Sequence, residues 1–507
     1  MNRATRLVLE LVVLGLAAWQ LADVALAMHH RLSAQFDLEW MEGATLLTGL
    51  RAAEGLPFYV KAAPDYIPFI YPPLYAWILG ALSHVFPFGY ALGRGVSIAC
   101  TALATGALAL AARQEGSRWP IAIGIGALFV GCYEEAGTFY DLVRIDSLAM
   151  ALTGAALVLG RRETRAAAIG SGLMLAVAFT AKHNMALFGL PIALWRWRTR
   201  GWKDAAIFAS ASAGPALAFT LAMQAATDGY FLTYLLGVPS RHAMVMNRLL
   251  PNLQKGRIEG AQAEIVRALP FVTTAGVLTL PWWVRSKGGS YWGGLALVAL
   301  VMVSLMRGHQ GGYLNVLIPM FWLLPMLAVL IERAFEGTGW RAWVPHAVAI
   351  LLAAQLWEGR GNLRKFLPTA DDAKAAASLV AELKGLPEPI LMPHGPCYPV
   401  LAGKEPSFAL ISLWDIDHKG GPLFKESRVV AHAMADHHWA TVVMPEAKLG
   451  YGLEENYTRE RALKARSFGT KTGWGVRFRW IWTPKEGKGE EAPEEDPAEA
   501  HERGGEE

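Results

Sequence analysis

The chain has 507 residues, of which 53% are hydrophobic and 18% are charged, with a mean hydropathy of +0.27 and a formal net charge of +4. Charged residues normally make up about 25% of a soluble globular domain, so this composition excludes an ordinary soluble domain and favours a polytopic membrane protein. No basic patch indicates nucleic-acid binding. The three cysteines form neither a disulfide framework nor a CxxC metal motif.

The first apolar run, residues 7–28, follows two arginines and is not followed by a small-residue cleavage site. It therefore predicts a signal anchor with the N-terminus in the cytoplasm. The stretch that comes next, residues 36–43, is expected outside and carries three carboxylates, Asp37, Glu39 and Glu42. Carboxylates so close to a membrane are costly unless they lie in water or serve a site.

Residues 75–85 are apolar but too short to span a bilayer, which takes about 20 residues, so they predict a helix at the outer interface. Further spans are predicted at residues 91–112, 120–137, 148–160, 166–180, 185–194, 205–226, 270–284, 291–306, 314–331 and 343–357. This arrangement gives about eleven spans and leaves the basic clusters at 161–165 and 196–200 on the cytoplasmic side.

The composition shifts beyond residue 360, where an amphipathic helix at 373–383 and strands at 388–392, 440–444 and 478–482 are predicted. The predicted fold is therefore an all-α polytopic membrane domain, residues 1–360, followed by a small extracytoplasmic α/β domain, residues 361–484. Residues 485–507 are rich in Glu, Pro, Gly and Lys and are expected to form a disordered acidic tail.

The topology gathers acids and bases on the outer face. Besides the first loop, they are Asp141, Arg144, Asp146, Lys182, His183, Arg241 and His242. A carboxylate can deprotonate a hydroxyl nucleophile, and cationic groups can stabilise a departing phosphate. The pattern therefore fits group transfer on a lipid-borne substrate.

Each group also has a structural interpretation that stays open. Glu39 and Glu42 would then only solvate a loop, and the charges at 141–146 would form an i, i+3 ion pair that caps a span. Arg241 and His242 would bind lipid headgroups. The Asp-x-Asp pattern at 415–418 lacks a nucleotide-binding βαβ context, and no metal site is predicted.

Several motifs resemble the C-type glycosyltransferase superfamily, in particular the bacterial protein-mannosyltransferase and aminoarabinose-transferase-like families. They are Glu42-Gly43, Gly55-Leu-Pro-Phe-Tyr59, Tyr71-Pro-Pro-Leu-Tyr75, Gly93-Arg94 and Asp141-Leu-Val-Arg-Ile-Asp-Ser147. The stretches Lys182-His-Asn184 and Gly312-Tyr-Leu-Asn315 look like later positions of the family.

The resemblance implies a many-helix fold in the bacterial cytoplasmic membrane, with interfacial helices in the first outer loop. It also implies an inverting transfer from a polyprenyl-phosphate-sugar donor to an envelope acceptor on the outer face. The family's first-loop acid acts as the general base, which here falls on Glu42. The usual Asp-Glu pair reads Met41-Glu42, however, so Asp37 and Glu39 stay in contention.

The outer-face groups given above, together with Arg94 and Tyr71, are the predicted substrate-binding residues, with Asp141, Arg144, Lys182 and Arg241 assigned to the donor phosphate and sugar; the requirement for a divalent cation stays open. Two other functions also stay open. The first is a transporter or lipid flippase, for which repeated halves and broken helices are typical, whereas the charges here cluster at one face. The second is a non-catalytic membrane assembly protein.

Overall fold

A computed structural model describes residues 3–254, 257–446 and 449–487. Almost all of the acidic tail predicted at 485–507 lies outside the described residues. In the first half of the chain the helices are α1 Arg3–Leu32, α2 Glu42–Ala53, α3 Leu74–Ser83, α4 Tyr90–Gln114, α5 Trp119–Gly131, α6 Asp146–Gly160, α7 Arg165–Ala181, α8 Gly189–Arg200 and α9 Trp202–Ala226.

The segment after α9 is built from short elements. They are α10 Tyr230–Leu232, α11 Met246–Leu249, the strands β1 Asn252–Gln254 and β2 Arg257–Glu259, α12 Ala261–Ala268, α13 Pro270–Leu278 and α14 Leu280–Trp283. Longer helices follow: α15 Lys287–Gly308, α16 Ile318–Leu323, α17 Met326–Ala334 and α18 Val344–Glu358. Further helical turns, mostly 3-10, lie at His183–Phe188, Thr233–Gly237, Pro239–Arg241, Leu314–Leu317, Gly339–Trp343 and Leu363–Phe366.

The protein is mostly helical, as the composition predicts. Among the described residues, five helical stretches are long and apolar enough to cross a membrane: α1, α4, α9, α15 and Leu314–Ala334. The other predicted spans fold as helices of 17 residues or fewer, so the count of eleven spans stays a prediction. The helix α3 has 10 residues and is too short to span, as expected for residues 75–85.

One predicted span ends early. The helix α5 stops at Gly131 instead of reaching residue 137, and the chain turns through Gly137 and Thr138, which both have positive φ (65° and 59°). A Cβ at Gly137 would lie 2.5 Å from the Tyr313 ring, so the turn needs glycine there. This early end leaves residues 132–145 free to fold as a compact polar segment between α5 and α6.

The C-terminal α/β region contains a four-stranded sheet in the order β3-β4-β6-β5. Its strands are β3 Ile390–Leu391, β4 Thr441–Met444, β5 Tyr457–Ala462 and β6 Trp480–Pro484. Its helices are α19 Ala370–Lys384, α20 Cys397–Leu401, α21 Leu410–Ile416, α22 Phe424–Ser427, α23 Val429–Ala435 and α24 Leu453–Asn456.

In this sheet β3 and β4 are parallel, and β6 is antiparallel to both of its neighbours. Three of the four strands and the helix α19 were predicted, whereas β5, with its charged sequence, was not. The domain boundary at residue 361 stays a prediction.

The helices α7 and α9 pack closely because small residues face each other. A Cβ built at Gly172 would lie 2.8 Å from Ala211 Cβ and 2.8 Å from the Phe208 carbonyl oxygen. Small residues at such an interface let helix backbones approach and gain van der Waals contact, which drives association in a membrane.

We expect Gly172→Ala to destabilise the protein by about 1–3 kcal/mol, because the added methyl group forces two backbones apart. Thermal unfolding in detergent micelles measures the effect. Gly106→Ala is the matched control, since Gly106 lies in α4 with open space around it. Equal melting temperatures for the two variants would contradict this account of the packing.

Candidate functional site

The carboxylate loop between α1 and α2 is folded into the protein. Asp37, Glu39 and Glu42 are 3%, 2% and 0% exposed. The loop packs against the segment between α5 and α6, so the two most distinctive acidic motifs of the sequence meet. Burial of three carboxylates in one loop is unfavourable unless each has its own partners.

Glu42 is saturated with hydrogen bonds. Its Oε1 accepts from Arg94 Nε (2.9 Å) and the Val143 amide (2.9 Å), and its Oε2 accepts from Arg94 Nη2 (2.7 Å) and the Leu38 amide (2.7 Å). Burial favours the neutral form, but the Arg94 guanidinium and the backbone donors outweigh it and hold the pKa of Glu42 below its usual value. This is the environment of a structural carboxylate.

Asp37 is a second structural group. Its Oδ1 accepts from the Gly43 amide (2.7 Å) and the Tyr90 hydroxyl (2.9 Å). Its other oxygen is buried with no hydrogen-bond partner among the described residues. Burial, with the nearby Glu42 charge, raises the pKa of Asp37 well above its usual value. This shift favours the protonated form of Asp37, and a protonated carboxyl cannot accept a proton from a substrate.

Glu39 is held more loosely. Its Oε2 accepts from the Met41 amide at 3.3 Å and lies 3.5 Å from Arg144 Nη1. Burial raises the pKa of Glu39 to about 7, an effect that the Arg144 charge opposes. A carboxylate with a pKa near the working pH and an incomplete set of hydrogen bonds has the properties of a general base.

The charged residues in the segment before α6 also differ in how fully they are hydrogen-bonded. Asp141 accepts from Arg31 Nε (2.8 Å) and the Tyr133 hydroxyl (2.9 Å) and has no exposed surface. Arg144, by contrast, is 6% exposed, and its Nη1 has no hydrogen-bond partner among the described residues. Arg144 is therefore a buried cation with an unused donor beside Glu39.

Asp146 links three parts of the chain. Its Oδ1 accepts from Lys182 Nζ (2.7 Å) at the end of α7 and from Asn315 Nδ2 (3.0 Å), whereas its Oδ2 is buried without a hydrogen-bond partner in the described part of the chain. Asp146 and Glu39 are close enough for their charges to interact. His183 follows Lys182 and is also largely buried, with an unpartnered Nδ1. The predicted outer-face groups at 141–146 and 182–183 therefore do converge.

A small cavity of about 40 Å³ adjoins Arg144. Its walls are mainly first-loop aromatic and proline residues, with Tyr59, Tyr66, Tyr71 and Pro72 among them. Burial raises the pKa of Tyr71 to about 12, so its hydroxyl stays a hydrogen-bond donor. The volume exceeds the 10–15 Å³ or so that one water molecule needs but is far below that of a sugar site.

The two predicted residues of the long loop are placed differently: His242 reaches the neighbourhood of the site through Asp415, whose charge interacts with that of Arg144, and Arg241 does not. Arg241 is exposed in the turn Pro239–Arg241, and no contact joins it to the carboxylate cluster in the described residues. His242 Nε2 lies 3.0 Å from the Asp415 carbonyl oxygen, and its ring packs on those of His309 and His418 at 4.8 and 4.6 Å. No group of three or more His, Cys, Asp or Glu is placed to hold a metal ion in the described ranges.

The sequence interpretation missed an aromatic cluster at the Glu39 loop, formed by Trp40, which follows Glu39, and two tryptophans of the C-terminal region. We call it the canopy: Trp40, Trp414 and Trp474, with ring centroids 5.2–6.1 Å apart. Next to Trp414 lies Asp415, whose pKa burial raises to about 8. Position 40 adjoins Glu39 in sequence and was a usable signal; positions 414 and 474 gave none.

The segment 470–474 closes the canopy. The amides of Lys471 and Thr472 donate to the Leu38 carbonyl (2.7 and 3.1 Å), and Thr472 Oγ1 donates to the Gly137 carbonyl (2.7 Å). A Cβ at Gly473 would lie 3.0 Å from Glu39 Cγ. The C-terminal α/β region therefore supplies part of the wall around the first-loop carboxylate.

Comparisons with known proteins agree with this architecture. The sequence pattern described as glycosyltransferase family 87 matches residues 69–329, just over half of the chain. No curated protein sequence matches. Among solved structures, ArnT from Cupriavidus metallidurans bound to undecaprenyl phosphate is similar, with a TM-score of 0.55 and 13% identity over 92% of this chain and 98% of that one.

The apo structure of the same protein gives a TM-score of 0.54 with the same identity and coverage. At 13% identity this likeness concerns the fold, and it extends over the membrane helices and the C-terminal α/β region alike because almost the whole of both chains is matched. The match to the family pattern begins at residue 69 and includes Arg94, Arg144 and Lys182. The chain belongs to glycosyltransferase family 87 and is a membrane glycosyltransferase of the C type.

Proposed function

We propose that this protein transfers a sugar from a polyprenyl-phosphate carrier to a hydroxyl group of an envelope acceptor, on the outer face of the cytoplasmic membrane. Family membership supports the glycosyl transfer. The ArnT structure that shares the fold is bound to undecaprenyl phosphate, which supports a carrier of that class. The outer-face orientation rests on the distribution of basic clusters in the sequence.

The observation that carries the mechanism is the contrast between Glu39 and the other first-loop acids. Glu42 has both oxygens hydrogen-bonded and a lowered pKa, and burial raises the pKa of Asp37 well above its usual value, whereas Glu39 has a pKa of about 7 and lies 3.5 Å from Arg144. We therefore assign the base to Glu39 rather than to Glu42, the residue that the family resemblance singles out.

The reaction is a single displacement. Glu39 takes the proton of the acceptor hydroxyl as its oxygen attacks the anomeric carbon, and the bond from that carbon to the phosphate oxygen breaks. The bonding electrons leave with the polyprenyl phosphate, and the configuration at the sugar carbon inverts. Arg144, with its unused Nη1 donor, and Lys182 supply the positive charge that the leaving phosphate needs.

In this proposal the aromatic residues of the cavity and the canopy contribute to binding of the donor. The cavity beside Arg144, at about 40 Å³, holds water molecules but no sugar ring, so binding of the donor requires its walls, Tyr71 among them, to move apart. Trp40 follows Glu39 and Trp474 follows Gly473, which approaches Glu39, so a sugar ring stacked on these indoles would lie near the base. Exclusion of water by these rings favours transfer over hydrolysis.

A strain that lacks the gene is expected to accumulate one polyprenyl-phosphate sugar and to lose one envelope glycan, both measured by mass spectrometry. Wild-type protein should restore the glycan. Glu39→Gln should not, because loss of a general base typically costs about 10²–10⁴-fold in rate. Thermal unfolding confirms that the variant is folded. Unchanged glycans in the deletion strain would refute the proposed function.

The Glu42→Gln variant separates the structural acid from the base. A neutral amide leaves Arg94 as a buried charge without its anion, so we expect a loss of about 3–5 kcal/mol in stability, seen as a lower melting temperature in detergent. Glu39→Gln should lower the melting temperature less than Glu42→Gln does, because Glu39 is held by a longer contact with Arg144 and fewer hydrogen bonds. If Glu42→Gln is as stable as wild type but inactive, and Glu39→Gln is active, the base is Glu42.

The pH dependence of transfer provides a third test. Because the deprotonated form of Glu39 is the base, the rate should be constant well above pH 7 and fall about tenfold per unit below it. Arg144→Gln removes the charge that opposes the upward shift, so its midpoint should move to higher pH. Lys61→Gln, which removes an exposed first-loop cation, should leave the midpoint unchanged. Identical midpoints for Arg144→Gln and wild type would contradict the pairing of Arg144 with Glu39.

A further inference from the structure

A second and larger cavity lies within the C-terminal α/β region. Its volume is about 550 Å³, within the range of roughly 300–1,000 Å³ that small-molecule sites occupy. Trp480 and Trp482 of β6 form one wall, and Leu449 and Leu453 lie among the other lining residues. None of these residues belongs to the canopy or to the carboxylate cluster, so the cavity is a separate feature of the molecule.

The strand places both tryptophans on one side. Side chains alternate along a strand, so Trp480 and Trp482 share a face while Ile481, 1% exposed, points into the core on the opposite face. The two tryptophans therefore form an aromatic wall at the start of β6, the last strand in the described part of the chain. Arg459 and Arg479 lie 4.4 and 5.0 Å from the Trp480 ring centroid, so a ring-shaped ligand would meet the two indoles together with these guanidinium groups.

Trp482 carries an unused donor. Its Nε1 is buried and has no hydrogen-bond partner among the described residues. Buried indole N–H groups usually find an acceptor, because an unsatisfied donor is costly. Because Nε1 has no accessible surface in the structure, a ligand oxygen would reach this donor only after a local shift of the cavity wall.

The charges at the cavity define the chemistry of that ligand. Arg459 lies over the Trp480 ring at 4.4 Å, and the exposed carboxylates of Glu446 and Glu454 also line the cavity. Glu446 is itself paired with Arg479. Two carboxylates and two guanidinium groups balance at the cavity, so no excess charge favours an anion, and both kinds of group hydrogen-bond to hydroxyl groups. A neutral ligand with apolar ring faces and hydroxyl edges fits all of these features.

We propose that this cavity is a binding subsite for a neutral oligosaccharide, the sugar chain of the acceptor. The identification of this oligosaccharide as the acceptor rests on the proposed transferase function, whereas the binding of an oligosaccharide to the cavity does not. Trp480 follows the canopy residue Trp474 by six residues, which span at most about 22 Å. An oligosaccharide held by β6 therefore lies close enough for its end to reach the canopy at the Glu39 loop.

The test uses the full chain purified in detergent, with the neutral trisaccharides mannotriose, maltotriose and galactotriose as probes. Saturation-transfer NMR should detect binding of at least one trisaccharide. Trp480→Ala should weaken that binding by at least about tenfold. Trp482→Phe, which keeps an aromatic side chain but removes the indole N–H donor, should weaken it by roughly five- to tenfold. Inorganic phosphate should not compete.

Matched controls make the result specific. Glu454→Gln should weaken binding, whereas Glu455→Gln, a neighbouring exposed carboxylate that does not line the cavity, should not. The melting temperature of each variant shows whether it is folded. Failure of all three trisaccharides to bind, or equal binding by wild type and the folded Trp482→Phe variant, would overturn the proposal.

The two proposals fail separately. Glu39→Gln should bind the trisaccharide as well as wild type does, although its transfer is lost. Binding without any polyprenyl-phosphate-dependent transfer in the wild-type protein would refute the proposed function and leave the subsite intact. Transfer that persists without trisaccharide binding would refute the subsite alone.

Discussion

The buried pair between Arg94 and Glu42 is the interaction on which the rest of the site depends. Arg94 uses all five of its N–H donors: two bind the Glu42 oxygens, and the others bind the carbonyls of residues 31, 34 and 36. A buried ion pair repays its desolvation only when such additional bonds satisfy both partners. Here they tie the end of α1, the first loop, α2 and α4 into one unit, and the Val143 amide adds the segment before α6.

Around this centre the other charges fall into two groups. Arg31 with Asp141, and Asp146 with Lys182 and Asn315, are held by bonds of 2.7–3.0 Å and fix the relative positions of four chain segments. Glu39 and Arg144 are held less fully, at 3.5 Å with an unused guanidinium donor. Asp37 Oδ2 and Asp146 Oδ2 also lack partners among the described residues, but Glu39 and Arg144 are the oppositely charged pair that the proposed mechanism leaves available to a substrate.

The sequence predicts a good part of this arrangement. Hydrophobic periodicity and the positions of the arginines are enough to find the long helices, and the motifs at 36–43 and 141–147 identify the two loops that meet. What the sequence cannot provide is the role of each acid. Glu39 and Glu42 are three residues apart and look equivalent, because their partners, Arg144 and Arg94, are decided by contacts about 50 to 100 residues away along the chain. The canopy shows the same limit, since Trp474 reaches Glu39 only through the fold.

The C-terminal α/β region is held against the first loop by backbone hydrogen bonds. The Leu38 carbonyl lies beside Glu39 and accepts two amide donors, from Lys471 and Thr472, and Gly473, with φ of +72°, brings the backbone against the Glu39 side chain. A residue with a Cβ would be strained in that conformation and would contact the carboxylate, so glycine keeps Glu39 both covered and unobstructed. Because the same stretch continues into β6, a ligand that binds the β6 tryptophans would act on the backbone that covers Glu39. In the proposed mechanism, acceptor binding and the surroundings of Glu39 would thereby be joined through a few residues of continuous chain, and the α/β region would take a direct part in the chemistry of the membrane site.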